Sequence, residues 1–282
     1  IYISMDQGSS WELANNGFPA DAVNDWVVKD ESILAGTNTH GIFISSDRAR
    51  SWYSSNKGLP IGVRITSLAQ YNHVLLAGTY TYGLFLSDDN GQTWNISNTG
   101  LKNLTIRCFY TSGPILLVGT NDGIYSSTNG GKSWTPEKNG MQLNAFSMTN
   151  NKILAATNKG VLVSTDYGNS WDWTFQEGAI YTLAADEREI YLLDFFGNVY
   201  RSSTTDFRWF KIDQYMPVQS TFQLTPVSSK FLVAAWKGAL NNLISIQGGY
   251  QPRGLPKDTA FTVLLDTPFG LLAGAVPPHK IE

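Results

Sequence analysis

An eight-residue frame, Ser-x-Asp-x-Gly-x-x-Trp, is written into this chain repeatedly and constrains its fold more than any other feature. It stands complete at Ser4 to Trp11, Ser87 to Trp94 and Ser164 to Trp171. Ser45 to Trp52 carries Ala49 in the glycine slot, and Ser127 to Trp134 carries Asn129 in the aspartate slot. A sixth copy, Ser202 to Trp209, keeps the two ends and places Thr204 and Asp206 between them. Successive tryptophans stand 41, 42, 40, 37 and 38 residues apart, and a further 41 lead to Tyr250 in a degenerate seventh copy. Self-similarity at so steady a period is the mark of a repeat architecture, in which each unit buries its faces against its neighbours.

Every residue of the frame has a chemical reason to be there. A Ser or Asp side chain at a tight turn accepts hydrogen bonds from amides one or two residues on. Gly supplies the positive φ of a sharp hairpin, and Trp closes the turn by laying a large apolar ring on the next layer. Asp6, Asp47, Asp89, Asn129 and Asp166, with Trp11, Trp52, Trp94, Trp134 and Trp171, therefore read as turn-holding residues, not as catalytic or metal-binding ones. Ala49 tests this: if its turn keeps the left-handed conformation, the alanine costs roughly 1–2 kcal/mol and Ala49→Gly is expected to raise stability.

The frame resembles the Asp-box, or BNR repeat, of sialidases, sortilin-type receptors, xyloglucan-active glycosidases and the photosystem II assembly factors related to Ycf48. The resemblance covers nearly the whole chain at regular spacing and implies a β-propeller. Those families do unrelated things on that scaffold, so it implies little about function.

Aligned on the frame, each repeat gives four short strands. The plan is plainest at Val23 to Val28, Ser32 to Thr37, Gly41 to Ser45 and Trp52 to Ser55, with the frame turning the third strand into the fourth. Second strands such as Val74 to Thr79, Leu116 to Thr120 and Ile153 to Thr157 are continuous apolar runs, which suit strands covered on both faces. Pro and Gly interrupt every stretch that could make a long helix. Residues 1 to about 15 supply only third and fourth strands, and residues 259 to 275 only first and second, so the two ends are expected to pair and leave no free inner edge. The expectation is an all-β single domain, 1–282, folded as a seven-bladed β-propeller of four-stranded antiparallel blades. The blades fall at 259–276 plus 1–17, 22–57, 63–99, 104–139, 143–177, 180–212 and 219–252, with six blades as the fallback if the weak unit from Phe222 to Tyr250 packs irregularly. Because Ile1 already lies within a strand, the chain reads as a processed or truncated piece.

Composition narrows the function classes. Twenty basic residues against 23 acidic ones, net −3 and without a basic stripe, argue against nucleic acid or an anionic membrane as partner. There is no apolar run long enough for a membrane span and no signal-type segment. Lone Cys108 sits in an apolar strand pattern and reads as a buried thiol. The three histidines, His40, His73 and His279, lack metal-ligand spacing. No Gly-rich phosphate loop leads into a helix, so no cofactor and no metal is expected. An extracellular, periplasmic or cell-surface location follows from the resemblance alone.

The frame turns occupy one rim of such blades, and the loops between second and third strands occupy the other. Those loops read Asn38-Thr39-His40, Tyr80-Thr81-Tyr82, Asn121-Asp122, Asn158-Lys159, Phe195-Phe196, Trp236-Lys237 and Val276-Pro277-Pro278-His279. Counted through the closure, five consecutive blades present rings or prolines and two present Asn, Asp and Lys. His40, Tyr80, Tyr82, Phe195, Phe196 and Trp236 are therefore the candidate ligand-binding residues, for a glycan or a protein partner. The bland alternative is that these rings fold inward and plug the channel mouth.

A sialidase-type site, by resemblance, needs three Arg, a Tyr–Glu pair and an Asp acid. The chain has eight Arg and only a faint echo of the family's first segment at Arg64-Ile65-Thr66. A xyloglucanase-type site needs two carboxylates about 5–9.5 Å apart, for which Asp122 and Asp194 are the rim candidates. Asp21, Asp25 and Asp213 lie near the exits. The short loops cannot wall a deep groove, so a non-catalytic binding scaffold is the leading expectation. A glycoside hydrolase is the alternative, and an assembly factor like the Ycf48 group stands third.

Overall fold

The computed structural model describes residues 1–6, 10–185 and 187–215, and beyond them the strands Gln223–Val227, Lys230–Ala234, Ile244–Ser245, Gly248–Gly249, Phe261–Thr267 and Gly270–Ala275. Among these residues every regular element is a strand. They form seven four-stranded sheets, antiparallel throughout. The chain divides into two compact units, Thr66–Val218 and Ile1–Ile65 with Gln219–Glu282.

In the unit of residues 66–218, each sheet runs in chain order from a first strand to an outer one. The second strands Val74–Thr79 and Leu116–Thr120 are buried at every position, as two-sided cover requires. Their glycines permit close approach. A Cβ on Gly78 would stand 2.4 Å from Ile106 Cγ2, and one on Gly119 would stand 2.6 Å from both Cys108 Sγ and Leu143 Cβ. Cys108 is accordingly half-buried against the core, not sealed in it. First strands Ile106–Tyr110, Leu143–Thr149 and Ile180–Ala185 pack beside one another. Each carries a β-bulge at its second residue, which re-aims Arg107, Asn144 and Tyr181.

The recurring octapeptide is a closed hydrogen-bond circuit. In the complete copy from Ser87 to Trp94, Ser87 Oγ donates to Asp89 Oδ1 (2.8 Å) and accepts the Gly91 amide (2.8 Å). Asp89 also accepts the amide and hydroxyl of Thr93, at 2.8 and 2.6 Å. Asp6, Asp47 and Asp166 repeat the pattern with Ser10, Ser51 and Ser170. These donors hold the carboxylates below the ordinary range. The hydroxyl at Ser10, Thr93 or Ser170 is the largest cause at Asp6, Asp89 and Asp166. At Asp47 desolvation, the largest single contribution, opposes the shift, and the bonds from Ser51 and Ser45 together outweigh it. The hydroxyl residue before the tryptophan, Ser or Thr in five of the six copies, is thus part of the frame.

The tryptophan then pins the turn to the preceding repeat. Trp134 Nε1 donates to the Ser97 carbonyl (3.0 Å) and its amide to the Thr99 carbonyl (2.9 Å). Trp209 Nε1 donates to the Thr174 carbonyl (2.9 Å). Trp134 is buried in one cluster with Leu76, Leu84, Ile106 and Leu116, which joins neighbouring sheets. Trp171 departs from the pattern, with its indole donating within its own turn to the Gly168 carbonyl (2.9 Å).

In the other unit, the N-terminal strand Tyr2–Ser4 pairs with Gly270–Ala275 in the register Tyr2↔Ala273, Ile3↔Leu272, Ser4↔Leu271. The two chain ends share one sheet, as the strand count of the end segments requires. Trp52 docks there as Trp134 does elsewhere, donating to the Ala14 carbonyl (3.0 Å) and packing on Trp26 at 5.9 Å between ring centroids. Arg48 and Ala49 both keep the left-handed conformation, with φ 62° and 64°.

Candidate functional site

Antiparallel topology puts the octapeptide turns at one end of each sheet and the loops between second and third strands at the other. The turn carboxylates at the first end are saturated by their own hydroxyls and amides. The loop end is where large rings stand in solvent.

Four ring-bearing residues there are open to solvent: Tyr80 is 47% exposed, Tyr82 46%, Phe195 41% and Phe196 71%. None of them folds inward. Their loops are built, not slack. Asn98 accepts the Leu84 amide on Oδ1 (2.7 Å) and donates from Nδ2 to the Tyr82 carbonyl (3.0 Å). Asn56 repeats this on the loop of His40, accepting the Ile42 amide (2.7 Å) and donating to the His40 carbonyl (2.7 Å). The fit is close enough that a Cβ on Gly41 or Gly83 would stand 2.3 or 2.2 Å from the clamping amide oxygen. Asn56 and Asn98 are 42 residues apart, the step separating Trp52 from Trp94, so a column-by-column repeat alignment would have exposed both.

Asp194, a candidate acid, has a loop-shaping role. It is buried and accepts the amides of Phe196 and Asn198 (both 2.8 Å) and the Asn198 side-chain amide (2.7 Å). That capping leaves Phe195 edge-on to Tyr181 at 5.3 Å and turns Phe196 outward. Tyr181 reaches this position through the first-strand bulge, which the sequence alone does not announce. Asp122 is exposed on its loop, where its own amide bonds to Thr120 Oγ1 (3.1 Å). Lys159 is tied to the Gly140 carbonyl (2.6 Å).

His40 does not act alone. Asp21, from the segment before the first strand, lies 2.9 Å from its Nδ1. Burial works to raise Asp21, but the bonds from His40, Thr39 and Ala22 outweigh it and keep the carboxyl below the ordinary range. Trp236, Tyr250 and the segment Val276 to His279 lie outside the described residues.

A tyrosine–glutamate pair does occur, at the far end of its sheet. Tyr191 donates to Glu189 (2.6 Å), and Glu189 faces Arg201 at 3.4 Å. Burial, with the carboxylate beside it, pushes the Tyr191 hydroxyl up to about 12. Tyr191 is buried, so it serves the sheet and cannot meet a substrate. Among the described residues no group of three His, Cys, Asp or Glu side chains could hold a metal ion.

No family model matches the chain, and no curated protein does. Solved structures do. The chain is similar to Ycf48 in its complex with a D1 peptide (TM-score 0.69, 15% identity, covering 92% of each chain). It is similar to the xyloglucanase of glycoside hydrolase family 74 from Xanthomonas campestris (TM-score 0.67, 16% identity, covering 97% of this chain and 54% of that one). It is also similar to the extracellular domain of a one-component system from B. thetaiotaomicron (TM-score 0.71, 14% identity, covering 92% and 38%). It spans 37% of the length of an ancestral family 74 enzyme. These likenesses show the fold, an all-β propeller type whose members include a xyloglucanase and a protein bound to a peptide. They leave the function to the residues.

Proposed function

We propose that this chain is a non-catalytic recognition scaffold of Asp-box propeller type, binding a glycan or peptide through the loop ends of its sheets. The exposed, clamped Tyr80–Tyr82 pair carries the reading. Two large rings standing in water on a loop fixed by Asn98 lose little conformational entropy on binding and offer flat apolar faces with polar tips. Phe195 and Phe196, fixed by Asp194, supply a second such surface. His40 and Trp236 complete the proposed set. Of the two carboxylates that a hydrolase would use, Asp194 is buried and caps a turn, which leaves the exposed Asp122 without a ready partner acid.

The relatives in fold include one bound to a peptide, one named for action on xyloglucan and one that is an extracellular domain. This supports a glycan or peptide ligand met outside the cytoplasm. No helix among the described residues is long and apolar enough to cross a membrane.

Screening the protein on glycan and peptide arrays, alongside turnover assays on xyloglucan and sialosides, tests the proposal. Binding without turnover is expected, weakened at least tenfold in Tyr82→Ala or Phe196→Ala. Turnover abolished by Asp122→Asn would replace the scaffold with an enzyme.

A further inference from the structure

Asp21 is the most heavily engaged carboxylate at the loop end of its sheet. Its Oδ2 accepts the Thr39 amide (2.7 Å), the Thr39 hydroxyl (3.0 Å), the His40 amide (3.1 Å) and His40 Nδ1 (2.9 Å). Its Oδ1 accepts the Ala22 amide (2.8 Å). The Asp21 side chain is 8% exposed and that of His40 is 52% exposed. One carboxylate is therefore buried beneath a histidine that stands in solvent.

The proton positions follow from this crowding. His40 Nδ1 faces only Asp21 Oδ2 and Thr39 Oγ1, each 2.9 Å away. An ionised carboxylate can only accept, so a bare Nδ1 there would set two lone pairs against each other. The Thr39 hydroxyl has its own acceptor in the same Oδ2 and can turn its oxygen lone pair to the ring. Nδ1 must carry the hydrogen, which leaves Nε2 of the neutral ring without one. No described residue bonds to Nε2. The backbone beneath is fixed by Asn56 Nδ2 on the His40 carbonyl (2.7 Å) and by the His40 amide on Thr37 Oγ1 (3.1 Å).

We propose that Asp21 is a positioning residue for His40, locking the imidazole as the Nδ1–H tautomer so that Nε2 presents a bare lone pair to ligands at the loop end. Such a group selects for hydrogen-bond donors, a hydroxyl or an N–H, and against carbonyl and carboxylate oxygens. The ligand half of this proposal rests on the recognition reading above, while the tautomer is a property of the protein alone.

Long-range 1H–15N correlation spectra of the 15N-labelled protein, at a pH where imidazole is neutral, report the tautomer directly. His40→Gln identifies the signals. The wild type is expected to show Nδ1 protonated and Nε2 bare. Asp21→Asn retains an amide oxygen for Nδ1–H and keeps that pattern. Asp21→Ala removes the acceptor, frees the Thr39 hydroxyl to donate to Nδ1, and moves the proton to Nε2. An Nε2–H signature in the wild type overturns the proposal, and so does an unchanged pattern in Asp21→Ala. Should Asp21→Ala fail to fold, the wild-type spectrum and Asp21→Asn still decide. For a ligand captured on the arrays, Asp21→Ala is expected to weaken binding about tenfold, the worth of one hydrogen bond, and Asp21→Asn much less. If no ligand binds, the recognition reading falls while the tautomer assignment stands or falls on the spectra.

Discussion

Gly100 lies so close to Trp134 that a Cβ on the glycine would stand 2.0 Å from the Trp134 carbonyl oxygen. Gly17 meets Trp52 in the same way, at 2.4 Å. The exit of one repeat and the tryptophan of the next are thus a single joint, closed by the bond from the Trp134 amide to Thr99. Gly100→Ala must hold an alanine at φ 91° and displace backbone that has no room to give. Left-handed strain of about 1–2 kcal/mol and overpacking of about 1–3 kcal/mol predict a loss of about 2–5 kcal/mol in urea unfolding. Gly140→Ala is the control: its φ is 81° but nothing lies within 4 Å, so only the backbone strain is expected.

Ala49 retains the left-handed turn, and the consequence differs from that expected of strain alone. Its methyl is 1% exposed, within the cluster of Trp26 and Trp52. Ala49→Gly relieves about 1–2 kcal/mol of strain but loses a buried methyl worth about 0.8 kcal/mol. It also loosens the unfolded chain by a further 0.4–1 kcal/mol, roughly. Stability is expected to change by less than about 1 kcal/mol. A gain above about 1 kcal/mol, what remains of the strain relief after the unfolded-chain cost, would show that the methyl packs for nothing.

Asn129 is the one amide among the complete circuits, donating to Ser133 Oγ (2.8 Å) where the aspartates accept. Asn129→Asp lets that hydroxyl turn round and donate to a charged oxygen, as Thr93 does to Asp89. The folded state then depresses the new carboxyl, as it does Asp89 and Asp166. A depressed folded value stabilises above the unfolded one and loses that contribution as pH falls through the folded value. Thermal melts are expected to show a gain under about 1 kcal/mol near neutral pH, given the exposure of the site, and a smaller one in acid, below the ordinary carboxylate range. An equal gain at both would point to packing instead of charge.

Asn98→Ala leaves the Leu84 amide and the Tyr82 carbonyl without their partner. About 1–3 kcal/mol of stability should be lost. Hydrogen exchange should rise at Leu84 more than at the third-strand positions beyond it. If Tyr82 keeps its ligand affinity in this variant, the clamp serves stability alone.

How far these features could be read beforehand depends on whether they are periodic. The turn circuits, the four-strand units and the pairing of the two ends all follow from a spacing visible in the chain. Tyr80, Tyr82, Phe195 and Phe196 could be placed on loops because each follows a second-strand run. Their exposure could not, because burial depends on whether a neighbour offers a pocket. Asp21 was one acid among several near the exits, and only folding brings it to His40 across 19 residues. Tyr181 needed a bulge, which leaves no trace in residue types.

The bulge also makes the sharpest test of repeat logic in the first strands. Thr66 donates from Oγ1 to the Ile106 carbonyl (2.7 Å), and Asn144 donates from Nδ2 to the Ile180 carbonyl (2.7 Å). Each bond joins the start of one first strand to the start of the next. Arg107 occupies the same position between them and is too long for the task. Its Nη1 reaches Asn121 Oδ1 only at 3.4 Å, and its Nε is buried with no partner among the described residues. Arg107→Asn would place a short amide facing the Leu143 carbonyl and remove the buried, unpaired donor. A net bond of about 0.5–1.5 kcal/mol, together with relief of an unsatisfied group, outweighs the apolar stem that is lost, so the variant should melt higher than the wild type. A lower melting temperature would mean that the arginine stem supports the joint by packing, and that this repeat has its own solution to a problem its neighbours solve by hydrogen bonding.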